Sequence, residues 1–106
     1  MAGINAVDFS TLAVSSAAVD MSDASPALTT LSKSIHGALV TVETDQVRYR
    51  VDGTAPTSSE GHLLNAGDVL NFPSWNVPNQ NWRAQLENVQ FIRVTSDAAL
   101  KITWYD

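Results

Sequence analysis

Short runs in which apolar and polar residues strictly alternate, each closed off by turn-forming residues, constrain this chain more than any other feature. In Gln46–Val51, Val47, Tyr49 and Val51 alternate with Arg48 and Arg50; in Ala99–Tyr105, Leu100, Ile102 and Trp104 alternate with Lys101 and Thr103. A period of two sends alternate side chains to opposite faces, so each run predicts a β-strand with one buried and one wet face.

The rest of the chain is punctuated in the same way. Ala38–Thr44 and Gln46–Val51 flank Thr44 and Asp45, which predicts a β-hairpin. Asp52–Gly61 contains an Asp-Gly turn and Pro56, and reads as an ordered loop. His62–Leu64 and Asp68–Phe72, around Asn65–Gly67, predict a second hairpin or a strand with a sharp corner. Val89–Val94 and Ala99–Tyr105, joined through Thr95–Asp97, predict a closing hairpin. Thr11–Ser15 reads as a strand. Ser25–Gly37 has helical grammar, with Ser25 as N-cap, Pro26 at the first helical position and Leu28, Leu31 and Ile35 on one face. Thr29, Thr30, Ser32 and Ser34 are modest helix formers and limit it to a turn or two. Pro73–Trp82, with two prolines, three asparagines and two tryptophans, reads as a long loop.

Strands recurring about every 8–12 residues predict an all-β fold, an antiparallel β-sandwich or small barrel, jelly-roll-like, with about seven or eight short strands and little helix. At 106 residues the chain is expected to form a single domain over 1–106. A domain this size hides roughly two-thirds of its unfolded surface. Residues 1–7 carry no charge and no strong period, and are read as a flexible arm that orders on a neighbouring subunit.

Charge and composition narrow the partners. The net charge is −5, and only 16% of residues are charged. Arg48 and Arg50 form the nearest approach to a basic cluster, but Asp45 and Asp52 flank them, so nucleic acid is not an expected partner. There is no cysteine, which removes disulfides, thiolate metal sites and cysteine nucleophiles. Met1–Ala6 lacks the basic start and apolar run of a signal peptide. No stretch approaches the ~20 apolar residues of a membrane span. Synthesis in the cytoplasm, with no membrane partner, is the expectation.

No catalytic constellation stands out, and the chain is read as a non-enzyme. Serines and threonines are so abundant that a triad with His36 or His62 can always be drawn, which gives the drawing no weight. Glu60 and His62 are two apart, but Gly61 between them suggests a turn. Both histidines are read as structural or surface residues. The carboxylates are scattered, mostly at turns, where they usually cap backbone donors. Asp20 and Asp23 lack the alternating oxygen ligands of a calcium loop, so no metal or other cofactor is expected. Trp75 and Trp82, with Asn79 and Asn81, have the residue types of a sugar site, since aromatic faces stack on sugar rings and amides pair with hydroxyls. Packing at a core or protein interface is the stronger reading for these tryptophans. Arg48 and Arg50 also read as the wet face of a strand, within reach of Glu43 across the predicted hairpin.

The run Leu39–Leu70 resembles small virion proteins of tailed bacteriophages. Its most specific pieces are Arg48-Tyr49-Arg50, the loop Asp52–Thr57, and Gly61–Leu64 ahead of Gly67–Leu70. Phe91–Val94 and Leu100–Tyr105 fit the same pattern, so the resemblance covers somewhat under half of the chain. Trp75–Trp82 and Ser25–Gly37 depart from it. The resemblance implies a small β-sandwich or barrel of the particle, a capsid cement (decoration) protein or a related head or tail accessory. Its expected partner is the major capsid protein, with other copies of itself, at the capsid surface of a virion assembled in the host cytoplasm. Candidate contact residues are Trp75, Trp82, Asn79, Arg48 and Arg50. The alternative expectation is a carbohydrate-binding tail or fibre module.

Overall fold

The computed structural model describes residues 5–72 and 82–106, the side chain of Trp82 excepted. Among these, the strands are β1 (Ala6–Val14), β2 (Val19–Asp20), β3 (Gly37–Glu43), β4 (Val47–Arg50), β5 (His62–Leu64), β6 (Val69–Phe72), β7 (Gln90–Arg93) and β8 (Ala98–Tyr105), with one short helix, α1 (Trp82–Asn88). They form two four-stranded antiparallel sheets, ordered β1-β8-β3-β6 and β2-β7-β4-β5. The pairs β1 with β8, β2 with β7, β3 with β6 and β4 with β5 are those of one long antiparallel ribbon rolled up on itself. That is a jelly roll, and the expected all-β sandwich is present.

The alternation seen in the sequence builds the space between the sheets. Leu12 and Val14 of β1, Val40 and Val42 of β3, and Leu100, Ile102 and Trp104 of β8 point inward from one sheet. Val47, Leu64 and Phe91 meet them from the other. Met21, Leu28 and Ile35 from the β2–β3 connection, and Leu86 and Val89 at the helix, are also buried there.

Among the described residues, the polar side chain fully buried in this core is that of Ser10. Its hydroxyl accepts from the indole Nε1 of Trp104 at 2.8 Å and donates to the carbonyl of Pro26 at 2.6 Å. The same hydroxyl therefore fixes the β1–β8 register and holds the 25–27 segment against β1. Thr11 and Ser25 reinforce that attachment with reciprocal backbone bonds of 3.1 and 2.9 Å.

Several expectations need correction. The hairpins expected at Thr44–Asp45 and Thr95–Asp97 do not form, and around Asn65–Gly67 the hairpin gives way to the alternative of a sharp corner, because β3 and β4, β5 and β6, and β7 and β8 lie in opposite sheets. Each predicted turn is instead an arch across the sandwich. Alternation reveals a strand's buried face but not its neighbour, and Val42 and Val47 meet the same core from opposite sides. Tight two-residue hairpins favour Asn-Gly or Asp-Gly, whereas β3 leaves through Thr44, at φ 83, and Asp45. The expected salt bridge from Arg48 or Arg50 to Glu43 is likewise absent among the described residues.

Second, Ser25 does not cap a helix beginning at Pro26. The bridge to Thr11 holds Ser25 extended, and the segment contains one 3-10 turn, Leu28–Thr30, preceded by Ala27 with no side-chain cap. Third, the helix α1 was not expected. Arg83, Ala84, Gln85, Leu86 and Glu87 are good helix formers, but seven residues beside an Asn- and Pro-rich stretch give a weak signal. Of the expected arm at 1–7, Ala6 and Val7 are the start of β1, and residues 1–4 lie outside the described residues.

Replacing Ser10 with Ala strands the Trp104 indole N–H in the core. The expected loss is about 1–3 kcal/mol in urea unfolding. The Ser10→Ala/Trp104→Phe pair should lose less than the sum of the two single changes.

Candidate functional site

Of the residues singled out for contact, Trp75, Asn79 and Asn81 lie outside the described residues, and Trp82 begins α1. Arg48 and Arg50 are on β4, where both face away from the core, but neither is free. The Arg48 guanidinium donates to the carbonyls of Ser58 at 2.9 Å and Gly61 at 3.0 Å. Arg50 pairs with Asp52. Their work is local, holding the Asp52–Gly61 loop that joins β4 to β5.

That loop folds back over the outer face of the β2-β7-β4-β5 sheet. Pro56 is buried, and Thr57 and Ser58 border a shallow depression with Ile92 and Arg93 of β7. Gly61, at φ 132, makes the closure possible. A Cβ there would sit 3.1 Å from both the Pro56 side chain and the Tyr49 carbonyl, and 3.3 Å from the Arg48 side chain. Between the loop and the strand end lies an open cleft of about 480 Å³ lined by Arg50, Val51, Asp52, Glu60, Gly61 and His62. His62 rests at 5.3 Å from the Tyr49 ring. Burial pushes the Tyr49 phenol up from its ordinary pKa.

The other titratable candidates serve the backbone. Asp20 accepts from the Ser22 amide at 2.9 Å, and Asp23 accepts from the Asp20 amide at 3.0 Å, a reciprocal cap on the Met21–Asp23 turn. These carboxylates are occupied in the way expected of turn residues. Among the described residues no three His, Asp or Glu side chains converge as metal ligands. His36 makes a 2.9 Å contact from Nδ1 to the Ser34 carbonyl. Asp97 is held below the usual carboxylate range by the Arg93 guanidinium, with the Ser15 side chain adding to it. Asp52 is lowered chiefly by its bond from Arg50.

Sequence reasoning missed two features. Arg83 reaches from α1 to the carbonyls of Ser32 at 3.0 Å and Ile35 at 3.2 Å, and pairs with Glu87. It fastens the helix to the β2–β3 connection, and nothing local in the sequence announces a partner some fifty residues away. The second feature is the outer face of the β1-β8-β3-β6 sheet. Strand register sets Phe9, Thr103, Leu39 and Asn71 in one row across it, and Thr11, Lys101, Thr41 and Val69 in the next. Phe9 and Val69 are each 53% exposed. Lys101 is the only charge in those two rows, with Glu43 beyond one end. The signal lay in the polar half of each alternation, which in these strands is mostly Thr, Asn or apolar.

Among the described residues the two outer faces thus differ: one sheet wears its own loop, while the other exposes Phe9 and Val69. An Arg48→Ala or Gly61→Ala change should release the loop, with faster amide exchange across 53–60 and a loss of about 1–2 kcal/mol for Arg48→Ala. For Asp52 and Asp97 the folded pKa is depressed. Their contribution is therefore complete above the unfolded carboxylate pKa of about 4, and is lost as pH falls through the lower folded values. The melting temperature should fall on acidification below about pH 4, and less steeply in Asp52→Asn/Asp97→Asn. Salt should shrink the difference, since both pairs are exposed.

No protein-family model, curated protein or solved structure matches this chain.

Proposed function

We propose that this is a structural virion protein, a capsid cement (decoration) protein that binds the major capsid protein shell and stabilises it. The observation that carries the reading is the contrast between the two faces of the sandwich. Two rows of Phe9, Leu39, Val69 and short hydroxyl side chains, with Lys101 as their one charge and Glu43 beyond one end, are suited to close contact with another protein surface. The rolled-up sandwich behind it gives a rigid platform, so little ordering entropy is lost on docking.

The resemblance of Leu39–Leu70 to small phage virion proteins supplies the setting for this reading. Much of that run has a structural part in the fold. Arg48 and Gly61 secure the loop, and Asp68 extends the β3–β6 ladder by accepting from the Val42 amide at 3.0 Å. A cement protein must present the same contact many times over a symmetric shell, for which modest individual interfaces suffice.

Particles assembled without the chain should open at lower temperature and after milder osmotic shock than complete particles. Adding the purified chain should restore both tolerances. Full heat and osmotic stability in its absence would contradict the cementing role.

A further inference from the structure

The strand cations are not equivalent. Arg50 and Arg93 are ion-paired with Asp52 and Asp97, and Arg48 is committed to backbone carbonyls. Lys101 has no carboxylate partner among the described residues. Its ammonium makes one long contact, 3.4 Å, to the hydroxyl of Thr11. It also stands in the middle of the sheet, on the central strand β8, with Thr11 and Thr41 directly beside it and Phe9, Leu39 and Val69 around it. A cation covered by a partner there loses its water, and is stabilised only if the partner brings an opposite charge to it.

We infer that the outer face of the β1-β8-β3-β6 sheet docks a protein surface that sets a carboxylate against Lys101 within an apolar surround. This rests on the cement reading and names the chemistry its partner must show. Charge selects the occupant. A second copy laid on the same face would bring another Lys101 and a second net charge of −5, and the outward carboxylate it offers, Glu43, lies beyond the two rows at the end of β3. Nucleic acid would offer phosphates to a single cation on an acidic chain.

Size agrees with a repeated, individually modest contact. The seven residues of β3 span roughly 24 Å and four strands roughly 19 Å. The resulting face is smaller than the about 800 Å² that each partner contributes to a standard stable interface. Many copies on one shell compensate for that.

The test titrates the chain and four variants onto particles assembled without it and measures bound copies by sedimentation, after melting curves confirm that each variant is folded. Phe9→Asp and Lys101→Glu should weaken binding about tenfold or more. Lys101→Met keeps the stem without the charge. It should weaken binding less and abolish the salt dependence shown by the unaltered chain. Leu63→Asp alters an exposed apolar residue on the opposite sheet, 43% exposed, and should bind as the unaltered chain does.

If the unaltered chain binds but Phe9→Asp and Lys101→Glu bind equally well, the docking face is wrong while the cement reading stands. If the unaltered chain does not bind, the cement reading falls and this inference with it. If the free chain self-associates and Phe9→Asp or Lys101→Glu changes that association, a second copy is the occupant and the inference is overturned.

Discussion

The pairing of β1 with β8 is the constraint on which the remainder of this fold depends. It joins the first described strand to the last through eight registered residue pairs. Bringing together Ser10 and Trp104, 94 residues apart, costs about 4 kcal/mol of loop-closure entropy beyond a constant. Leu12, Val14, Leu100, Ile102 and Trp104 are each essentially inaccessible in the closed structure. Burying side chains of this kind contributes roughly 1.5–3 kcal/mol apiece, so burial outweighs the closure term. The same burial then selects the register, because a slip of one residue would turn every inward side chain outward, and the hydrogen bond from Trp104 to Ser10 is made in that register.

That register also determines the surface. Once Leu100, Ile102 and Trp104 face inward, Lys101 and Thr103 must face outward, and β3 and β1 align Leu39, Thr41, Phe9 and Thr11 beside them. The proposed docking face is thus the obligatory reverse of the core and needs no separate device to build it. The opposite sheet meets the same geometric requirement differently. Its outward Arg48 is used to draw the β4–β5 loop across the strands, and that loop has little room to be rebuilt around Gly61. One sequence pattern therefore yields a self-covered side and a side suited to a partner.

From β3 onward strand positions are legible in the sequence because alternation is local, whereas β1, expected over Thr11–Ser15, starts at Ala6, and β2 has no local signal. Val47, Leu100, Ile102 and Trp104 were identified as inward-facing from their spacing alone, and all are buried. Strand partnership was not legible, since it depends on contacts such as Ser10 with Trp104 that no window of ten residues contains. The turns at Thr44–Asp45 and Thr95–Asp97, which read as hairpins, are therefore arches, although the runs on either side of them are strands. The candidate site was less legible still. Tryptophan and arginine are frequent interface anchors, yet Arg48 and Arg50 are spent on the loop they adjoin. Phe9, Val69 and Lys101 come from three separate strands and share a face only after the sheet has formed.

The central claim is that the outer β1-β8-β3-β6 face is the side turned to a particle's shell. An electron cryo-microscopy reconstruction of particles carrying the chain tests it most directly. The account expects the sandwich to repeat over the shell with Phe9, Val69 and Lys101 against the shell protein, an acidic side chain opposite Lys101, and the Asp52–Gly61 loop turned away. A reconstruction with that loop against the shell, or with Lys101 facing solvent, would contradict it.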